Sequence, residues 1–204
     1  MKTVVFDFDG TIVIPNVDVV VDILNGLSGK YRYRKFTREE VLAFKGMGAR
    51  ELLRKLGIRW WQAPLFFHRG KKLLEKNSRQ LRVVPGMLPV LRKLKKKTRI
   101  GMLTSHPHKG IVSFLRKNKI AFDFVIADVA PFRKHRKLKA LQRRYDIVYV
   151  GDEVRDVEAA HRAEVPVIAV TWGYNSNDAL VKARPTFLIE KPNELVKLIT
   201  FFKD

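Results

Sequence analysis

Six short apolar segments, Thr3–Phe8, Arg99–Leu103, Phe122–Ile126, Ile147–Val150, Val165–Val170 and Thr186–Ile189, punctuate the chain. Stretches with helical spacing separate the later ones, at Met87–Lys97, Lys109–Asn118, Arg136–Arg144, Val154–Ala163 and Pro192–Phe202. Runs such as VVF and VIAV are apolar at every position, so both of their faces must be covered. A strand–helix rhythm of this kind predicts an α/β fold, a Rossmann-like doubly wound parallel sheet with helices on both faces.

The rhythm breaks between Ile14 and Val84, where only helical patterns occur. Thr37 and Glu40 have the spacing of a capping box. ARELLRKLG places leucines at helical spacing ahead of Gly57, a C-cap signal. RWWQAPLFF is expected to form the core or lid of this piece. Pro85 and Gly86 mark the return to the sheet. Residues 15–83 are therefore expected to form an inserted small α-helical cap domain, and residues 1–14 and 84–204 the α/β core.

No apolar run approaches the ~20 residues of a membrane span. With no cysteine among 204 residues, disulfides and thiolate metal sites are excluded, and the expected location is cytoplasmic. The net charge is +21, which favours anionic partners. Much of it lies in Arg133–Arg144, which carries seven Lys or Arg and no acid.

In an open parallel sheet, ligands bind beyond the carboxyl ends of the strands. The first strand leads into DFDGT, with Asp7 and Asp9, and the second into Thr104 of GMLTS. The third leads into the basic run and the fourth into GDEVRD, with Asp152, Glu153 and Asp156. Asp7 and Asp9, two apart on extended chain, are expected to point the same way. Crowded carboxylates repel unless a cation joins them, and Mg2+ is the usual hard cation beside phosphate. A lysine and a threonine would then hold an anionic, oxygen-rich group.

FDFDGT, GMLTS, a lysine before a helix, and YVGDEVRD together resemble the four motifs of the haloacid dehalogenase superfamily, in its phosphoglycolate phosphatase-like branch. The resemblance covers the core and extends weakly to FKGMGARELL. It implies a Mg2+-dependent phosphatase acting on a small phosphorylated metabolite, of phosphoglycolate or sugar phosphate type. Asp7 would be the nucleophile and Asp9 the acid and base. Mg2+ would be held by Asp7, the Asp9 carbonyl and Asp152, with Glu153 or Asp156 acting through water or orienting Asp152. Thr104 and the lysine would hold the phosphoryl oxygens, assisted by Ser105 and Thr11. Lys134, earliest in the basic run, fits the lysine role best; Lys137, one turn on, is the alternative. Arg133 stands where similar sequences carry glycine.

Lys45 and Arg50 are candidates for a second anionic group of the substrate, against a plain reading as exposed helix-end charges. His106 stands where relatives often carry Asn and is a candidate substrate contact. A metal site at His106 and His108 lacks further ligands, and Pro107 with His108 reads as a helix start. TWGYNS resembles a family loop near the site without a role derivable from its residues. A phosphomutase and a nucleic-acid-associated phosphatase or binding protein are the competing functions. Nucleic acid is a less favoured partner, since no recognisable binding module accompanies the charge. A signalling receiver domain is excluded, because its phosphorylated Asp follows the third strand.

Overall fold

The six apolar segments become one parallel sheet: β1 (Thr3–Phe6), β2 (Arg99–Leu103), β3 (Phe124–Ile126), β4 (Ile147–Gly151), β5 (Val167–Val170) and β6 (Phe187–Ile189). The strand order is β3-β2-β1-β4-β5-β6, the doubly wound arrangement expected from the rhythm. The computed structural model describes residues 2–14, 16–44, 47, 49–77, 81–130 and 133–201. They divide into two compact units, Met1–Pro15 with Arg82–Asp204, and Asn16–Leu81.

In the first unit β1 is central, with Phe6 aligned to Met102 on one side and Val150 on the other. The chain reverses direction of winding on either side of β1, and that switch point opens a crevice at the carboxyl ends of β1 and β4. Helices α5 (Met87–Lys95), α6 (His108–Asn118), α7 (Lys134–Gln142), α8 (Val154–Arg162), α9 (Asn177–Lys182) and α10 (Glu194–Phe201) complete the unit. Leu138, Leu141, Val157, Ala160 and Leu180 from α7, α8 and α9 pack with Val5, Leu103, Tyr149 and Ala169 of the sheet. Phe114 of α6 meets Phe8 edge-on, with ring centres 5.0 Å apart.

Four strands, β1, β3, β5 and β6, are shorter than their apolar runs. β1 ends at Phe6 because the Phe8 carbonyl accepts from the amides of Thr11, Ile12 and Val13, folding the chain back. Val165 donates to the Ala160 carbonyl and so closes α8 before β5 begins. Helix α9 has six residues, too few for a periodic signal, and is set by Ser176, whose hydroxyl accepts from Ala179 N.

The second unit, Asn16–Leu81, is helical and contains α1 (Val17–Tyr31), α2 (Arg38–Leu42), α3 (Ala49–Lys55), a 3-10 turn at Trp60–Gln62, and α4 (Ala63–Asn77). Its own core gathers Leu24, Leu27, Phe36, Val41, Leu53, Leu56, Ile58 and Phe66. The Thr37–Glu40 capping box is present. Gly57, at φ +67, closes α3. Asn25 clamps the chain by accepting from Phe36 N (2.8 Å) and donating to Phe36 O (2.9 Å). RWWQAPLFF divides: Phe66 is buried, whereas Trp60 is 80% and Trp61 57% exposed, so the tryptophans do not form core. No helix among the described residues is long and apolar enough to cross a membrane.

The pairing of β2 with β3 depends on Gly101, where an added Cβ would meet Phe124 Cζ at 2.1 Å. The Phe124 ring also stacks on Tyr145 at 6.0 Å. Gly101→Ala is expected to lower the unfolding free energy by about 1–3 kcal/mol, as overpacking does. Denaturant unfolding measures it, and an unchanged midpoint would show that the ring moves aside freely.

Candidate active site

Each group of the site stands immediately beyond a strand. Asp7 follows β1, and its amide donates to the Val150 carbonyl of β4 at 2.8 Å. Thr104 follows β2 and is fixed by its amide to the Ile126 carbonyl of β3 at 2.9 Å. Asp152 and Asp156 follow β4, the first in the loop and the second in the opening turn of α8. Lys134 is the first residue of α7, after β3. Sheet pairing thus brings together residues far apart in sequence.

Among the described residues, Asp7, Asp152 and Asp156 form one buried group whose ligand oxygens lie within 4.8 Å of one another. Lys134 Nζ lies 2.8 Å from Asp7 Oδ2 and 2.7 Å from Asp156 Oδ1. At 2% exposure it is the buried lysine of the basic run, while Lys137 is exposed. Arg133 adopts φ −110, ψ 0, a conformation open to any residue. The position therefore needs no glycine.

Three carboxylates against one ammonium leave two negative charges, the complement of one divalent cation. The strain shows in the proton affinities. Burial pushes the Asp7 carboxyl up to about 7, against the pull of Lys134 and with a further push from Asp156. Asp152 is raised well above its ordinary value by burial and then by Glu153, Asp156 and Asp7. For Asp156 burial again pushes upward, but Lys134 and Arg155 outweigh it and hold the carboxyl low. Lys134 is held above the ordinary lysine range: burial opposes its charge, but Asp156 and Asp7 prevail. The donor set, all hard oxygens with unbalanced negative charge, suits Mg2+ or a similar divalent ion.

The remaining contacts position these groups. Asp152 Oδ1 accepts from the Thr11 hydroxyl (2.9 Å) and Oδ2 from Tyr174 N (2.8 Å). Thr11, assigned to phosphate by the sequence pattern, is fully buried and its proton goes to Asp152 instead. Gly10, at φ +77, and Gly173 both lie against Asp152, where an added Cβ would come within 2.1 Å of it. Asp156 Oδ2 also accepts from Glu153 N, so it holds both Lys134 and the start of α8. Glu153 pairs with Arg155.

Asp9 is less buried than Asp7: the side chain of Asp7 is 4% exposed and that of Asp9 28%. Asp9 faces His106, whose Nδ1 lies 2.9 Å from Asp9 Oδ2. Thr104 Oγ1 accepts from His106 N at 3.0 Å, which leaves its own proton free to donate. Ser105 Oγ is buried without a hydrogen-bond partner. Arg50 is exposed on α3 in the second unit, and Lys45 lies outside the described residues.

Sequence reasoning missed three supports. Tyr149 is buried in β4 with Oη 3.3 Å from Asp156 Oδ1; its apolar neighbours gave it the look of plain core. The sequence offers His106 as a substrate contact or, with His108, as a metal ligand, and gives no sign of its pairing with Asp9. The loop after β5 carries Trp172, whose Nε1 donates to Thr11 O, and Asn175, whose Oδ1 accepts from Val154 N. The only signal there was a glycine among polar and aromatic residues in TWGYNS.

Comparison with known proteins agrees with this arrangement. A family model described as haloacid dehalogenase-like hydrolase matches residues 4–170. The chain is similar to the phosphoglycolate phosphatase of Synechococcus elongatus, at 31% identity over 98% of both chains. It is 24% identical to the pyrophosphatase PpaX of Listeria innocua, over 98% of this chain and 96% of the other. A solved structure from Clostridium acetobutylicum, described as a predicted phosphatase, shares the fold with a TM-score of 0.82 at 21% identity, over 98% of each chain.

Metal-free protein should show the charge imbalance directly. The native Asp7 carboxyl holds its proton up to about pH 7, against an ordinary value of 3.8. The native state therefore binds the extra proton between those values, and this group's contribution to stability falls as pH rises across them. A divalent cation removes that loss. Added MgCl2 is expected to raise the melting temperature more at about pH 8 than at about pH 5, because the ligands must be ionised to bind. Equal shifts at both pH values would contradict the charge assignment.

Proposed function

The chain belongs to the haloacid dehalogenase-like hydrolases, and from that premise we propose a divalent-metal-dependent phosphatase that acts on a small phosphorylated metabolite. The observation that carries the proposal is the buried group of Asp7, Asp152 and Asp156 around Lys134. Such a group is costly to fold and is suited to phosphoryl transfer.

Asp7 is the nucleophile. Its carboxylate oxygen forms a bond to phosphorus while the bond to the leaving oxygen breaks, giving an aspartyl-phosphate. Asp9 gives its proton to the leaving oxygen, then takes a proton from the water that attacks the same phosphorus. Phosphate departs as the bond to Asp7 breaks. The contrast in burial between Asp7 and Asp9 supports this division, since the proton donor must face the leaving group. Lys134 and the Thr104 and Ser105 hydroxyls hold the phosphoryl oxygens. Thr104 has an unengaged proton and Ser105 an unpartnered oxygen. Asp156 keeps Lys134 charged and in place. Mg2+, held by Asp7, Asp152 and the Asp9 carbonyl, would neutralise charge between the nucleophile and the phosphoryl group. The helical second unit is proposed as the cap domain, and Arg50 and Lys45 as candidates for a second anionic group of the substrate.

The relative with 31% identity favours a phosphoglycolate-type monoester as substrate, and the PpaX relatives supply pyrophosphate as the second reading. The purified protein should hydrolyse p-nitrophenyl phosphate with MgCl2 and stop with a chelator. Asp7→Asn should lower kcat by at least about a thousandfold, as loss of a nucleophile does. Lys134→Gln should be similarly damaging and Lys137→Gln nearly silent. Retained activity in Asp7→Asn would sink the nucleophile assignment. A panel of 2-phosphoglycolate, sugar phosphates, pyrophosphate and 5′-phosphorylated oligonucleotides separates the substrate classes by kcat/KM.

A further inference from the structure

His106 is almost fully buried, at 1% exposure, between Phe8 and the carboxyl group of Asp9. Its Nδ1 lies 2.9 Å from Asp9 Oδ2 and 3.1 Å from Oδ1. Its Nε2 is buried without a hydrogen-bond partner. The backbone fixes the residue at three points. His106 N donates to Thr104 Oγ1, its carbonyl accepts from Asp128 N, and Pro107 caps α6 directly after it. The Phe8 ring stands 5.0 Å from the imidazole in an edge-on contact. Rotation of the ring is therefore blocked on the sheet side.

When Asp9 is ionised its carboxylate can only accept, and the facing Nδ1–H is the donor that meets it.

We propose that His106 is a positioning residue for proton transfer. Its Nδ1, within hydrogen-bond distance of both oxygens of Asp9, holds the carboxyl group in the orientation that presents its proton to the leaving group. The proposal rests on the reading of Asp9 as the proton donor and adds to it the device that aims the donor. The same hydrogen bond persists when Asp9 is ionised and takes the proton from water. Asp9 needs such a device because its side chain is part-exposed and lies beyond the end of β1, where an isolated bridge to Val13 fixes the backbone but not the carboxyl group. A second positioning group is what keeps a proton donor productive.

The test uses leaving groups of different basicity. An aryl ester such as p-nitrophenyl phosphate needs little proton donation, whereas a simple alkyl phosphate needs a great deal. The ratio of kcat/KM between them reads the first chemical step and would not move for a merely structural residue. Glutamine places its amide nitrogen where Nε2 lies, and asparagine places its nitrogen where Nδ1 lies. His106→Gln is expected to lower kcat/KM on the alkyl ester by about 10- to 100-fold, part of the range of general acid catalysis, and on the aryl ester by less than about threefold. His106→Asn should restore most of the difference. In an Asp9→Asn background, His106→Gln should change the alkyl rate by less than about twofold, because the two residues act as one. If His106→Gln does not fold, as judged by its melting curve, His106→Ala gives the same comparison.

Equal losses on both esters, failure of asparagine to restore, or an undiminished loss without the Asp9 carboxyl each overturn the proposal alone. A wild-type chain inactive on both esters overturns the phosphatase reading and this proposal with it.

Discussion

The ion triple Asp7–Lys134–Asp156 is the interaction on which the rest of the first unit depends. A lone buried ammonium or carboxylate is too costly to keep charged. Lys134 stays charged only because two carboxylates reach it within 2.8 Å, and Asp156 stays low only because Lys134 does. That mutual requirement ties α7, the end of β1 and the first turn of α8 into one arrangement. Tyr149 donates to the same Asp156 oxygen as Lys134, and Glu153 N donates to the other. Asp152 has no lysine and depends on donors instead, from Thr11 and Tyr174. The loop after β5 supplies one of these, and its Gly173 leaves room for the Asp152 carboxylate.

The parallel sheet makes the triple affordable in chain terms. Residues 7, 134 and 156 are widely separated, yet each is the first or nearly the first group beyond a strand or at a helix start. The pairing of β1 with β4 aligns Phe6 to Val150, so Asp7 and the Gly151–Asp152 turn necessarily emerge side by side. Glycines at 10 and 173 then allow backbone to close on Asp152 at distances no Cβ would permit. The site is therefore a consequence of topology first and of side-chain choice second.

This explains which features could be read from the sequence. Strands were visible because all-apolar runs have few alternatives, and the site followed from asking what stands after each. Position favoured Lys134 among seven basic residues and kept Lys137 in reserve; of the two, Lys134 is buried and Lys137 exposed. The failures share a cause. The end of β1 at Phe6 depends on three amides converging on the Phe8 carbonyl, which no side-chain pattern announces. The bond from Thr11 to Asp152 was not foreseen because the two lie 141 residues apart. RWWQAPLFF, expected to be core or lid, divides between a buried Phe66 and exposed tryptophans, a split that composition does not show. Contacts made by backbone geometry or by remote loops leave no local periodicity to detect.

The basic surface also acquires a physical sense from the site. The cluster itself carries more carboxylate than ammonium, so on its own it would repel a phosphate anion. A divalent cation within the group cancels that charge locally, over a few ångströms. At longer range the field belongs to the whole chain, whose net charge is +21. Field of that sign raises the concentration of small anions around the molecule and weakens with salt over roughly 10 Å at 0.1 M. The two scales are complementary: exposed lysines and arginines gather phosphorylated anions without distinguishing them, and selection is left to the few buried groups that hold a phosphoryl oxygen. Nucleic acid binding is not required to account for the charge, because the same field acts on any phosphate ester.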